Sequence, residues 1–268
     1  MTCNTLNFNE PMLITLSPAK TLNFEPQSII QDYSNPTLLK ESRKIIKEMK
    51  TYDSAGLQTL MGISEKIADA NVKRFNQWKT PFKPENSKQA VLAFKGQVYD
   101  GLKAWEMSKQ DLQTSQRYLR ILSGLYGVLK PLNLMKPYRL EMGTRVSIAG
   151  TKNLYDFWGD QITDELNDSL AQYGYDTLVN LASNEYFKAV KKKNLRARII
   201  TPNFKEERDG GYKMVTFYAK VARGLMTRFI IENALEDPEM IKTFDVDGYR
   251  FNSEISSEDS WIFTRKSQ

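Results

Sequence analysis

The chain has 268 residues, with 38 Lys and Arg against 32 Asp and Glu, one cysteine and no histidine. Histidine is the usual base near neutral pH and the commonest metal ligand. Its absence leaves no Ser-His or Cys-His nucleophile pair and no tetrahedral zinc site to expect.

Cys3 cannot close a disulfide within the chain, which suits a reducing compartment. No cofactor and no structural metal are expected. The net charge of +6 is unevenly placed. Residues 184–228 hold 12 basic and 4 acidic residues, whereas 231–268 hold 4 basic and 9 acidic. A basic stretch followed by an acidic tail favours acidic partners. No apolar run approaches the roughly 18 residues of a membrane span, and residues 1–12 lack the basic and apolar regions of a signal peptide. These features predict a cytoplasmic protein with no membrane partner. With no linker, repeat or low-complexity tract, the chain reads as a polar extension, 1–11, and a single domain, 12–268.

In chain order, 12–16 is an apolar, β-prone run and reads as a buried strand that ends at Ser17-Pro18. Asn35-Pro36 reads as a helix start, with a stripe of Leu38, Leu39, Ile45, Ile46 and Met49 behind it. Residues 54–78 read as two short helices around Gly62. Residues 90–94 read as another buried strand, followed by a short helix through Tyr99 and Leu102. Ser108 and Asp111 have capping-box spacing and open a helix expected to run to about Leu122. Residues 123–150 are irregular, marked by Gly124, Gly127, Pro131 and Pro137. A helix is expected over 160–173, a strand over 177–182, and a helix over 184–191 capped by Ser183. Asp209-Gly210-Gly211 predicts a hairpin between 198–204 and 212–218. A long helix over about 219–235 follows, and 249–251 and 261–264 are expected to pair. Strands and helices alternate without a regular βαβ rhythm, so the fold class is α+β: a mixed sheet surrounded by helices.

Residues 57–68 carry the most specific local signal. They match L-x-x-L-x-G-hydrophobic-G-x-x-x-A, the pattern of a helix-hairpin-helix element, except that Ser64 replaces the second glycine. In such an element Gly62 and Ile63 make the tight turn. The amides after Ser64 then face a DNA phosphate, with Ser64 free to cap the second helix. Lys66, Lys73 and Arg74 lie just beyond as further phosphate contacts. An anion cleft is expected where cations follow strands: Ser17 and Lys20 after the first, Lys95 after 90–94, then Arg139 with Glu141, and Lys188. The helix from Ala219 adds Lys220, Arg223 and Arg228 on one face, with Val221, Leu225 and Phe229 opposite. Tyr126, Tyr138, Tyr155, Trp158, Tyr186 and Tyr218 are candidates to stack on bases. Glu141, Asp156, Asp160 and Glu185 are available acids, but their spacing specifies no dyad. Ser17 and Lys20 have S-x-x-K spacing without its companion signatures, so no catalytic residue is assigned.

Seven segments carry a family resemblance: LSPAKTLNF at 16–24, FKGQVY at 94–99, LSGLYGVLKPL at 122–132, PYRLEMG at 137–143, LYDFWG at 154–159, NLASNEYFK at 180–188 and FYAKVARGLM at 217–226. In this order they resemble the YaaA family of bacterial peroxide stress proteins, from about Met12 to the C-terminus. The resemblance implies a fold peculiar to that family, a helix-hairpin-helix-like element, a positively charged cleft and binding to double-stranded or structured DNA. It also implies protection in oxidative stress by lowering free intracellular iron, a form of iron homeostasis. An enzyme acting on a small anionic ligand in the same cleft, a nucleotide or acyl phosphate, is the alternative.

Overall fold

The computed structural model describes residues 12–25, 29–208 and 210–267. The extension expected over 1–11, and Asp209 of the hairpin turn, lie outside the described residues. In chain order the elements are β1 (Met12–Leu16), β2 (Thr21–Leu22), α1 (Leu39–Met49), α2 (Ser54–Met61), α3 (Glu65–Gln77), β3 (Lys88–Gln89), α4 (Ala90–Ala93), β4 (Phe94–Lys95), α5 (Gln97–Leu102), α6 (Lys109–Tyr118), β5 (Leu119–Ser123), β6 (Gly127–Leu129), β7 (Leu134–Met135), α7 (Leu154–Trp158), α8 (Gln161–Tyr173), β8 (Thr177–Leu181), α9 (Asn184–Phe187), β9 (Arg198–Arg208), β10 (Gly211–Lys213), α10 (Thr216–Glu232), β11 (Arg250–Phe251) and β12 (Ser260–Arg265).

The main sheet runs β11-β12-β9-β8-β1-β5-β6, with β10 added to β9. Its five inner strands, β12, β9, β8, β1 and β5, are parallel, and β11, β10 and β6 are antiparallel additions. The fold is therefore α+β with a mixed sheet, as the alternation of elements predicts. Parallel strands need both faces covered. β1, β5 and β8 are buried along their whole length, and helices supply the cover. Leu16 of β1 pairs with Ile121 of β5 and Leu181 of β8. The chain thus leaves all three strands at one sheet edge, which brings Ser17, Ser123 and Ser183 to the same side.

Helix α10 crosses α5 at near-contact distance through glycines. A Cβ on Gly224 would stand 1.8 Å from the Val98 carbonyl oxygen, and one on Gly101 would stand 2.1 Å from that of Val221. This crossing fixes the loop ahead of α5, where Lys95 and Gly96 sit, against the rest of the molecule.

Several local expectations are corrected. Residues 90–93 form one helical turn rather than a strand, because the Ala90 and Val91 amides bond to Asn133 and Pro131 outside any ladder. The expected helix to Leu122 stops at Tyr118, since Leu119 begins pairing with Ile14. Asn35 does not cap α1. Ser34 is bridged to Asn133, which keeps that stretch extended, and the helix starts at Leu39. Helix α9 is four residues long, not eight, and Ser183 makes no side-chain cap bond. The second hairpin arm ends at Lys213, and α10 begins at Thr216 rather than Ala219. The capping box at Ser108 and Asp111 forms as its spacing predicts.

Candidate functional site

The strand ends build the first part of the site. The Ser17 hydroxyl is buried and accepts the Ser183 amide at 2.8 Å, with the two hydroxyl oxygens 3.3 Å apart. The Tyr99 hydroxyl donates to the Ser17 carbonyl at 3.0 Å. These bonds join the loops after β1 and β8 to α5. Lys20 lies three residues on, and its neighbour Thr21 pairs with Lys95 across β2 and β4. Both lysines point to solvent. Glu141 joins two of the expected cations: its Oε1 is 3.3 Å from Lys20 Nζ and 3.1 Å from Arg139 Nε. The Lys20 side chain is 64% exposed and those of Arg139 and Glu141 are 18% and 15% exposed. The structure thus brings together Ser17, Lys20, Lys95, Arg139 and Glu141 as one rim.

On the other flank, Glu185 accepts the Gly143 amide at 3.0 Å, and its own carbonyl accepts the Tyr155 hydroxyl at 2.9 Å. A Cβ at Gly143 would stand 3.2 Å from that Glu185 oxygen. Lys188 lies over the Tyr155 ring, 5.1 Å from its centroid, and remains exposed. Behind the rim, burial above all pushes the Tyr99, Tyr138 and Tyr186 hydroxyls up, and the proximity of Tyr138 adds to the effect on Tyr99 and Tyr186. They stay neutral and act as rigid wall.

The second part is the helical hairpin. Gly62 ends α2 with φ +62, a left-handed turn that glycine adopts without steric cost. Ile63 packs against the core. Ser64 has the backbone angles of a cap, φ −69 and ψ 156, yet its hydroxyl makes no cap bond. Its side chain therefore leaves the first amides of α3 unclaimed, while Glu65 stands in the first turn. Lys66 and Lys73 are exposed.

Asn71 couples the two parts. Fully buried on the inner face of α3, it donates to the Arg139 carbonyl at 2.8 Å and accepts the Arg139 amide at 3.0 Å. Arg74, one turn further along α3, is half-buried. Its pKa is lowered, first by burial and then by the nearby charge of Arg139. Hairpin and rim are consequently one rigid unit with neighbouring cations.

A model of the family described as Peroxide stress protein YaaA matches residues 12–255. The chain belongs to this family. It is 50% identical over 255 residues to an UPF0246 protein of Colwellia psychrerythraea, covering 95% of this chain and 99% of that one. UPF0246 proteins of Neisseria gonorrhoeae and Neisseria meningitidis are each 50% identical over 257 residues, covering 96% of this chain and 99% of theirs. Family membership supports a role in peroxide stress.

The α10 cations depart from the expected arrangement. Arg228 is ion-paired with Glu106 at 3.4 Å and Glu232 at 2.8 Å, at the C-terminal end of α5, away from Lys95. Arg223 sits beside the buried stripe of Ala219, Ala222, Met226 and Ile230, and burial lowers its pKa. Only Lys220 of the three is exposed. The row Val221, Leu225 and Phe229 is half-exposed where α10 meets α5, so the apolar stripe is offset from the one drawn on the sequence. Of the candidate stacking rings, Tyr126, Tyr138, Trp158 and Tyr186 are core residues, leaving Tyr155 and Tyr218 partly accessible.

Sequence reasoning missed Asn71, although a signal existed. With Ala68 and Phe75 it forms the inward stripe of α3, and an amide on that stripe needs buried partners. It also missed Lys136 and Lys88, both buried lysines. Among the described residues, no group of three or more His, Cys, Asp or Glu gathers as a metal site, and no helix is long and apolar enough to cross a membrane.

Proposed function

We propose that the protein acts in peroxide stress by binding DNA phosphates through the α2–α3 hairpin and the strand-end rim. The observation that carries this reading is the paired bond between Asn71 and the Arg139 backbone. It locks the hairpin, with Gly62, Ile63, Ser64, Lys66, Lys73 and Arg74, to the rim of Ser17, Lys20, Lys95, Arg139, Glu141 and Lys188. Rigid phosphate contacts position a duplex without reading its sequence. The ligand is therefore double-stranded or structured DNA recognised by backbone shape. Lys220 extends the exposed cations, whereas Arg223 and Arg228 serve the packing and charge balance of α10.

Damage would be limited by lowering free intracellular iron. A chain with no histidine and one cysteine has a poor donor set for storing that iron, so the effect would run through the DNA-bound protein.

Duplex affinity should fall steeply with salt, because each neutralised phosphate releases counterion. Gly62→Pro removes the amide that bonds the Gln58 carbonyl at 2.8 Å and forbids the left-handed φ. A folded Gly62→Pro variant should bind duplex at least about tenfold more weakly, for a loss of two or more phosphate contacts. Unchanged affinity in that variant would remove the hairpin from the mechanism.

One observation favours the enzyme reading: Ser17, Lys20, Arg139 and Glu141 do converge where parallel strands end. Against it, Lys20 lacks the burial that would make it a base. Turnover of a nucleotide or acyl phosphate that is abolished by Ser17→Ala would establish that reading.

A further inference from the structure

A cavity of about 920 Å³ that none of the rim residues lines is bounded by Arg74 and Gln77 of α3, by Lys88, Lys136 and Pro137, and by Phe24, Ile30 and Tyr33. Lys136 is the unusual member. The residue is only 8% exposed, and its ammonium, which makes no hydrogen bond and no ion pair among the described residues, meets solvent on the cavity side. Arg74, on the same wall, likewise has no partner among the described residues. A cation whose stem is buried and whose head meets only the solvent of a cavity is less well hydrated than one on the open surface, which favours an anion beside it. The neighbouring charges make the need greater. Lys136 is disfavoured as a cation first by burial and then by Lys79, and Arg74 first by burial and then by Arg139. Two cations therefore line one cavity, and each is further disfavoured by a neighbouring cation.

Lys88 does not share this condition. Its ammonium donates to the Asn23 and Glu25 carbonyls at 2.9 and 2.8 Å. Glu25 and Glu85 also line the cavity, but neither is paired with Lys136 or Arg74.

We infer that this cavity binds a phosphate monoester, with Lys136 and Arg74 holding the phosphate. A nucleotide is the class that fits, because the aromatic rings of Phe24 and Tyr33 line the same space. The site shares Arg74 with the hairpin but none of its lining with the rim, so Lys136 is the residue that separates it from duplex binding.

The test uses the full chain and titration calorimetry with AMP, inorganic phosphate and adenosine. AMP and phosphate should bind saturably, and adenosine should not. Lys136→Met keeps the side chain's length and removes its charge. It should weaken AMP by roughly tenfold or more, the value of one charge-assisted hydrogen bond. Without ligand it should melt at the same temperature as the wild type or higher, because no protein partner is lost. Arg74→Gln should weaken AMP similarly. A duplex with and without a 5′-phosphate distinguishes the source. If Lys136→Met weakens only the phosphorylated end, the monoester is a DNA terminus; if it spares both, the ligand is a free nucleotide. The inference is overturned if neither AMP nor phosphate binds, if Lys136→Met leaves their affinity intact, or if Lys136→Met unfolds the protein. Duplex binding by a protein that ignores AMP would sink this site alone, and AMP binding by a protein that ignores duplex would sink the DNA reading alone.

Discussion

The strand-end rim and the Arg74–Lys136 wall both present cations, but they answer charge differently. At the rim, Glu141 sits between Lys20 and Arg139, so that two cations share one carboxylate, Lys20 facing water and Arg139 mostly covered. On the cavity wall, Lys136 is largely buried and Arg74 half-buried, and neither has a carboxylate partner among the described residues. The proposed polyanion would meet exposed lysines at the rim, Lys20, Lys95 and Lys188, whose contacts are screened by salt. The anion inferred at the wall would be compact and held by less exposed groups, where each contact is less screened. Asn71 stands between them, on the helix that carries Arg74 and bonded to the residue that carries the rim's Arg139.

Breaking that junction should have the largest effect. Asn71→Leu strands the buried Arg139 amide and carbonyl, and each orphaned group costs ~1–3 kcal/mol. Urea unfolding should register a loss of ~2–4 kcal/mol, together with weaker duplex binding. Next comes Glu141→Gln, which removes the carboxylate shared by Lys20 and Arg139. Because Lys20 is largely exposed, the stability loss should be only about 1 kcal/mol. Duplex affinity at low salt should rise, since the rim becomes more positive. If affinity fell instead, Glu141 would be making a contact of its own.

The wall should show itself through pH. The folded-state pKa of Lys136 lies below its ordinary value, so the unfolded chain holds that proton more firmly. Wild-type stability should therefore rise as pH climbs from the lowered pKa toward the ordinary lysine value of about 10.4. Lys136→Met lacks this dependence. Its stability advantage at neutral pH should shrink as pH rises, which paired denaturation curves at several pH values would show. A constant difference would mean that Lys136 is not a destabilised cation. The smallest effect is expected from Lys95→Gln, an exposed change worth within about 0.5 kcal/mol of stability. It should reduce the slope of log affinity against log salt by about one unit.

The contrast between rim and wall also marks what could be read in the sequence. The rim was largely legible. Ser17, Lys20, Lys95 and Arg139 each follow or flank an element whose apolar run is visible, and loops after strands are where an α/β-type sheet gathers its polar groups. The hairpin was legible because Gly62 and the spacing of its apolar residues are local. Strand β5 was not, because Leu112, Ser115, Leu119 and Leu122 continue a helical spacing through it, and a short apolar run does not distinguish strand from helix. The α10 cations were misplaced for a similar reason. A helical wheel gives relative angles but cannot say which side meets α5, and the Gly101–Gly224 contact decides that. The wall was invisible because Lys136 and Arg74 lie 62 positions apart and acquire meaning only from burial. Asn71 was readable in principle as an amide on an apolar stripe, although its partner, 68 positions away, was not.

The most direct test of the central claim is duplex affinity measured across a salt series, for wild type alongside Asn71→Leu at a temperature where both are folded. Log affinity should fall steeply and linearly with log salt for the wild type, and should be weaker with a shallower dependence once hairpin and rim are uncoupled. A flat wild-type response, or identical lines for the two proteins, would contradict it.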